Sequence, residues 1–294
     1  MDNGSQCANM LDGCIKSTMS KQVATENPEY SSSANLYDTT NDYRGLALVF
    51  NHENFETEKK RDGTNEDRDN LKDLLSSLKF DVHIYDDLDK KEVLKTLKIW
   101  SEEKYSDCDC LVVVVMTHGD PHNLYAKDSC YPVESLWVNF IGNRCPSLIG
   151  KPKMFFIQAC RGKALDQGVV FDPERQNDKK DCKTYEGSNS SPPMADLLVM
   201  YSTYEGHCSW RNPKNGGVFI QTLCSELKAN GNKRELLTLL TGVSRRTAYE
   251  FQSYVPDDEK YNAKKQMPCL VSTLTKSFYF TDKTTSKKFE LKKF

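Results

Sequence analysis

Two apolar runs of strand type end on residues that can do chemistry together. Leu111-Val112-Val113-Val114-Val115-Met116 breaks at Thr117-His118-Gly119, and Met154-Phe155-Phe156-Ile157 breaks at Gln158-Ala159-Cys160-Arg161-Gly162. Short continuous apolar runs bounded by glycine-containing segments read as buried strands. A histidine and a cysteine are thus delivered at two strand ends, the position where open α/β sheets keep their chemistry. A thiol attacks only as its thiolate, and with a free pKa of about 8.5 it needs a base or cation nearby, which His118 can supply. Alone, a strand-end cysteine is most often a small buried apolar residue. The pair points instead to nucleophilic catalysis by Cys160 with His118 as proton carrier.

Other elements must position these two groups. Leu46-Ala47-Leu48-Val49-Phe50 is a short buried strand, followed by the polar, basic loop Glu58–Thr64 that holds Arg61. Leu71, Leu74, Leu75 and Leu78 recur at helical spacing, Phe80 to Tyr85 alternates as a strand, and Val93, Leu94, Leu97 and Trp100 make a second helix. Strand, helix, strand, helix, strand is the pattern of a parallel sheet with helices on both faces. Beyond Cys160, Lys163 to about Met194 reads as an exposed linker. A strand over Asp196 to Thr203 follows, then a polar loop with Ser209-Trp210-Arg211-Asn212. Two amphipathic helices come next, around Val218 to Leu227 and Glu235 to Phe251, before a last strand within 263–280. Residues 1 to about 42 read as a disordered leader, and Thr281 to Phe294 as a loose basic tail.

Composition narrows the classes of function. The 294 residues suffice for one large core plus tails, and a net charge of −2 implies no nucleic acid or anionic membrane partner. Neither a secretory leader nor an apolar stretch of spanning length is present, so a cytoplasmic protein is expected. Eleven cysteines, an odd number, suit a reducing compartment. Cys108 and Cys110 are too isolated for a metal site, and no metal or cofactor is expected.

Gln158-Ala159-Cys160-Arg161-Gly162, with His118 standing 42 residues upstream, resembles the signature of the caspase family. The segments 45–55, 209–212 and 263–272 are similar to other caspase stretches, so that the resemblance covers roughly Gly45 to Phe280. It implies a three-layer sandwich around a mostly parallel six-stranded sheet, and a cysteine endopeptidase that cuts after Asp. In the implied mechanism Cys160 attacks the scissile carbonyl, His118 protonates the leaving amine, and water hydrolyses the thioester. The backbone N–H groups of Cys160 and Gly119 would form the oxyanion hole, and a backbone carbonyl near the Arg61 loop would orient the histidine. The pocket for the P1 aspartate, the residue before the cut, would be built from Arg61, Gln158 and Arg211, because planar bidentate donors suit a buried carboxylate. Ser209 and Trp210 complete the substrate-binding motif. Relatives that cut after Arg or Lys would need acidic residues there, which argues against a metacaspase. The short leader resembles that of effector caspases, which act late in programmed cell death, and Asp12, Asp38 and Asp42 are candidate sites for its removal.

Outside the P1 pocket the sequence departs from the effector pattern. Cys208 replaces a tyrosine that walls the P2 site, and Gly216-Gly217-Val218-Phe219 lacks the tryptophan that narrows the P4 site; Asn212 still matches the residue near a P4 aspartate. Both sites are expected to be roomier. Activation normally cuts the linker, yet the expected Asp172 is followed by Pro173, a poor residue after the bond. Asp181, in Asp178-Lys179-Lys180-Asp181, is the preferred site, with Asp166 second. Cutting at Asp181 divides the chain into a short prodomain (1–42), a large subunit (43–181) and a small subunit with its basic tail (182–294). The last strand, near Val271, resembles the one through which caspase protomers pair, so a homodimer of cleaved protomers is expected. An upstream initiator caspase and inhibitor-of-apoptosis proteins are the other expected partners. The competing readings are a weakly active caspase homologue serving as decoy or dimerising regulator, and a non-enzymatic α/β binding module.

Overall fold

The computed structural model describes residues 35–167 and 192–290. Six strands form one sheet: β1 (Tyr43–Asn51), β2 (Phe80–Asp86), β3 (Cys108–Met116), β4 (Lys153–Gln158), β5 (Leu197–Tyr201) and β6 (Cys269–Ser272). Their order across the sheet is β6-β5-β4-β3-β1-β2. All neighbours run parallel except β6, which is antiparallel to β5. The expected mostly parallel six-stranded sheet is therefore present.

Side chains of a strand alternate between faces, and here both faces are buried. Ala47, Val49, Val112, Val114, Met154 and Phe156 point into one apolar cluster, whereas Leu46, Leu48, Phe50, Val113, Val115, Phe155 and Ile157 point into the other. The first cluster is covered by α1 (Thr64–Ser77), α3 (Val218–Asn230) and α4 (Leu236–Glu250). The second is covered by α2 (Lys90–Ser101), whose start is fixed by reciprocal hydrogen bonds between Asp89 and Glu92, and by the irregular stretch that supplies Tyr131, Leu136, Phe140 and Leu148. Three layers result, as expected.

Two stretches expected to be loose are packed instead. Within residues 35–42, Tyr37 is buried; its hydroxyl donates to Asp196 at 2.7 Å and its backbone N–H to the Ser277 carbonyl at 3.0 Å. At the other end, residues 281–290 cross the sheet edge. Lys283 pairs with Asp109 at 3.1 Å beside the buried Arg44–Asp109 pair, and Lys287 pairs with Asp107 at 2.6 Å. Lys288 reaches Asp81 at 3.0 Å. Phe289 is buried with its ring centroid 6.1 Å from that of Trp100 and 5.6 Å from that of Tyr105. The lysines that made this tail look solvated are matched by aspartates at the ends of β2 and β3, and one aromatic residue anchors it.

Asp81 is the centre of this clamp, accepting from His83, from Lys288 and from the Phe289 amide. Burial alone would push its carboxyl up, but these hydrogen bonds outweigh it and hold the group at about 2. A depressed carboxylate contributes stability that is complete above the ordinary carboxylate range and lost as pH falls through its folded value. The Asp81→Asn variant is expected to unfold about 2 kcal/mol more easily at neutral pH. In denaturant titrations run from pH 7 down to pH 2 its deficit against the native chain should shrink below about pH 4; a deficit constant across that range would show that the carboxylate charge is not what holds the tail.

Candidate active site

The sheet register brings the two chemical strand ends level. β3 and β4 pair in parallel with Met116 opposite Gln158, and the Thr117 N–H donates to the Gln158 carbonyl at 3.0 Å. His118 and Cys160 follow at the carboxyl end of the sheet. Gly119 lies so near the Cys160 backbone that an added Cβ would sit 2.7 Å from the Cys160 carbonyl oxygen. Only glycine allows that approach. Neither the Gly119 nor the Cys160 N–H donates to an acceptor among the described residues, which leaves both amides available as donors.

His118 Nε2 lies 2.7 Å from the Lys59 carbonyl, with the Phe55 ring centroid 4.8 Å from its own. A carbonyl only accepts, so Nε2 carries the proton and Nδ1 is left to exchange one. The orienting backbone carbonyl expected near the Arg61 loop is thus that of Lys59. Burial pulls the imidazole pKa down, the Lys59 hydrogen bond opposing it, and the Arg61 and Arg211 charges lower it further. The Cys160 sulfur turns toward the segment Cys208-Ser209. It accepts from the Ser209 N–H at 3.3 Å and its thiol faces the Ser209 carbonyl at 3.9 Å, and no hydrogen bond joins it to His118 among the described residues. The Cys208 thiol is the largest influence lowering the Cys160 pKa; burial opposes it, and Ser209, Arg61 and Arg211 add to the lowering. Cys208 shifts the opposite way, its proton held by the neighbouring sulfur.

Arg61, Gln158 and Arg211 converge beside this sulfur. Arg61 is 1% exposed and spends Nη1 on the His52 carbonyl at 2.8 Å and Thr64 Oγ1 at 2.9 Å. Arg211, half-buried, donates from Nε to the Asp62 carbonyl at 2.8 Å. Neither guanidinium has a carboxylate within ion-pair distance among the described residues. Burial first, then the charge of Arg211, draws Arg61 down to about 9, and burial also lowers Arg211. Gln158 donates to Ser209 Oγ at 2.7 Å, while its buried Oε1 has no partner among the described residues. A buried and a half-buried cation held without an ion-pair partner are costly, and the arrangement is suited to an incoming carboxylate.

The remaining expected residues fall into two groups. Trp210 flanks the cleft, its N–H donating to Gln266 Oε1 at 2.6 Å and its ring centroid 6.4 Å from those of Phe251 and Tyr261. Asn212 is exposed and uses Oδ1 to accept from the Lys214 and Asn215 amides, which closes the turn between the short strands Arg211–Asn212 and Gly216–Gly217. Val218, half-buried, opens α3 next to Gly217. Away from the cleft, Val271 is 51% exposed on the edge strand β6, opposite Val199. The Asp166 carbonyl accepts from the Lys265 N–H at 3.0 Å; Asp181 and Asp172 lie outside the described residues.

Sequence reading missed two buried side chains that hold the site together. Asp67, on the first turn of α1, accepts from the Gly217 amide at 2.6 Å and from Gln221 at 2.8 Å, tying the substrate loop to the helix. Burial raises it to about 6 against those hydrogen bonds and the nearby arginines. Gln266 joins Trp210 to the Ser202 carbonyl. An acidic residue in a first helical turn looks like an ordinary dipole partner, and nothing local marks Gln266. The one available signal for Asp67 was its place three residues after Thr64, just beyond the arginine loop.

Comparison with known proteins identifies the family. The family model described as "Caspase domain" matches residues 44–279. The chain is 43% identical over 249 residues to Caspase drICE of Drosophila melanogaster, covering 84% of this chain and 73% of that protein. It is 40% identical over 239 residues to Caspase-3 of Mesocricetus auratus, covering 80% and 83%. The crystal structure of Caspase-1 from Spodoptera frugiperda superposes with a TM-score of 0.77 at 41% identity, covering 85% of this chain and 94% of that one. Since the family match takes in every strand of the sheet except the first residue of β1, and both strand ends that carry the thiol and the imidazole, this protein belongs to the caspase family and is a cysteine-type endopeptidase.

Proposed function

We propose that the enzyme cuts protein chains after aspartate, using Cys160 as nucleophile and His118 as proton carrier, and that it is a zymogen activated by linker cleavage to execute apoptosis. The observation that carries the specificity is the pair of guanidiniums, Arg61 buried and Arg211 half-buried, with no carboxylate within ion-pair distance among the described residues. A P1 aspartate brings the missing charge, and Gln158 adds polar contacts from the floor of the pocket. The Cys160 thiolate attacks the scissile carbonyl carbon. The oxyanion that forms is held by the Cys160 and Gly119 amides, which are prepaid donors aimed at developing charge. His118, fixed by the Lys59 carbonyl through Nε2, protonates the departing amine from Nδ1; it then draws a proton from the water that hydrolyses the thioester.

The half-exposed edge strand β6 supports pairing of two protomers near Val271, which would extend the sheet and cover an open edge. Because Cys208 and Val218 are small, the P2 and P4 sites accept larger side chains than an aspartate-selective effector enzyme would. An initiator caspase is the proposed activator, and inhibitor-of-apoptosis proteins are proposed regulators.

Hydrolysis of P1-Asp fluorogenic peptides by the purified full-length chain tests the core of this reading. Cys160→Ala should abolish activity and self-processing together, and Arg211→Lys should lower kcat/KM about a hundredfold by losing the bidentate fork. A native chain that stays silent after another caspase has cut its linker would favour the decoy reading instead. In a positional library, Trp, Tyr and Leu at P4 should match or exceed Asp; strong selection for Asp would refute the open P4 site. Terminal sequencing of the small subunit should begin at Cys182, with Gln167 as the minor start, and any other first residue would displace Asp181 and Asp166.

A further inference from the structure

Among the described residues, one pair of cysteines stands apart from the rest. Cys108, Cys110, Cys145 and Cys224 are buried, and burial pushes their thiols up. Cys130 is exposed and Cys269, on β6, half-buried; Cys160 and Cys208 are half-buried and lie side by side in the cleft, the Ser209 amide next to Cys208 donating to the Cys160 sulfur at 3.3 Å. The Cys208 thiol donates to the carbonyl of Gly162, two residues beyond Cys160, at 3.5 Å.

The backbone holds the two sulfurs together. Arg161 N–H donates to the His207 carbonyl at 3.0 Å, Gly206 N–H to the Arg161 carbonyl at 2.7 Å, Ala164 N–H to the Gly206 carbonyl at 2.9 Å and Cys208 N–H to the Ala164 carbonyl at 2.9 Å. Gly162, at φ 148°, lies so close that an added Cβ would be 2.2 Å from the Gly206 oxygen. Arg161 pins the same corner, its guanidinium 4.0 Å from the Tyr201 ring centroid and 3.2 Å from Glu205. Residue 208 is therefore clamped between its neighbours' contacts to Arg161 and, through the Ser209 amide, to the Cys160 sulfur itself.

We propose that Cys160 and Cys208 form a reversible disulfide under hydroperoxide, a modification that switches the enzyme off. This rests on the assignment of Cys160 as nucleophile. The Cys160 thiolate attacks the peroxide oxygen; an S–O bond forms, the O–O bond breaks, and the alcohol or water leaves. The Cys208 sulfur then attacks the sulfenic sulfur. The S–S bond forms as the S–O bond breaks, and the departing hydroxide takes the Cys208 proton as water. Two thiols lose two electrons to one hydroperoxide, and two equivalents of a monothiol such as glutathione, or one dithiol, restore them. Loss of the neighbouring thiolate also removes what held the Cys208 proton, so the resolving thiol is freed by the first step. Pairing spares the nucleophile from sulfinic acid, which thiols do not reverse.

The tryptic peptides 154–161 and 184–211 carry Cys160 and Cys208 as their sole cysteines, so the link can be read directly. The cleaved, active full chain is treated with a small excess of hydrogen peroxide, digested without reductant and analysed by mass spectrometry, while a P1-Asp peptide reports hydrolysis. The two peptides should appear joined, two hydrogens lighter than their sum. Hydrolysis should fall at least about tenfold in step with the link and return with dithiothreitol. Cys208→Ser, compared with its own untreated activity, should lose hydrolysis without recovery as Cys160 passes to sulfinic acid. Loss of hydrolysis with Cys160 joined to another cysteine, or oxidised singly in the native chain, overturns the pairing alone. Joined peptides with hydrolysis unchanged overturn Cys160 as nucleophile, and the switch with it.

Discussion

The parallel register between β3 and β4 is the constraint on which the rest of the molecule turns. Both strands are buried on both faces, so neither can slip without sending a full set of valines and phenylalanines to the wrong cluster. That fixes Met116 opposite Gln158 and brings the histidine and cysteine beyond them out at the same end of the sheet. A glycine just beyond each of them allows an approach that any side chain would block. Gly119 lets one loop lie against the Cys160 backbone, and Gly162, two residues past Cys160, lets the other lie against residue 206. Precision at the reacting atoms is thus inherited from the core rather than made locally.

Charge is organised on the same plan. The helix-capping loop before α1 carries Arg61 into the interior, and the hairpin after β5 brings Arg211 beside it, so the pocket exists only when elements far apart in sequence are docked. Asp67 sits close enough to temper both charges yet gives its hydrogen bonds to Gly217 and Gln221. It orders the hairpin without neutralising the pocket. A direct ion pair would have filled the place that the proposed substrate carboxylate would take.

How far the sequence foretold this differs residue by residue. Cys160, His118, Gly119, Arg61, Gln158 and Arg211 were visible because strand ends, glycines and arginines in short motifs leave local marks. The sheet and both helical layers were visible through alternation and helical spacing. Lys59 was not, since it acts through a carbonyl that every residue owns. Asp67 and Gln266 were hidden because burial, which gives them their role, arises from chain segments that meet only in the fold. Cys208 was recognised as a small wall, but its place beside Cys160 depends on two loops that meet only in the fold. The tail was misjudged for the opposite reason: its lysines looked like a solvated run, and their aspartate partners lie more than a hundred residues away in sequence.

That tail alters what a break in the chain would mean. The segment beyond the linker contributes β5 and β6 at one margin of the sheet, and its last residues reach back to Asp81 and Trp100 at the opposite margin. A cut in the linker would remove one covalent connection while leaving the downstream piece gripping the upstream piece at both ends. Dissociation would require the two grips to open at once, and each, while closed, keeps the other at high effective concentration. The nicked molecule is in this sense a bivalent complex of its own halves, and its topology lets proteolysis serve as a signal without becoming a step toward disassembly.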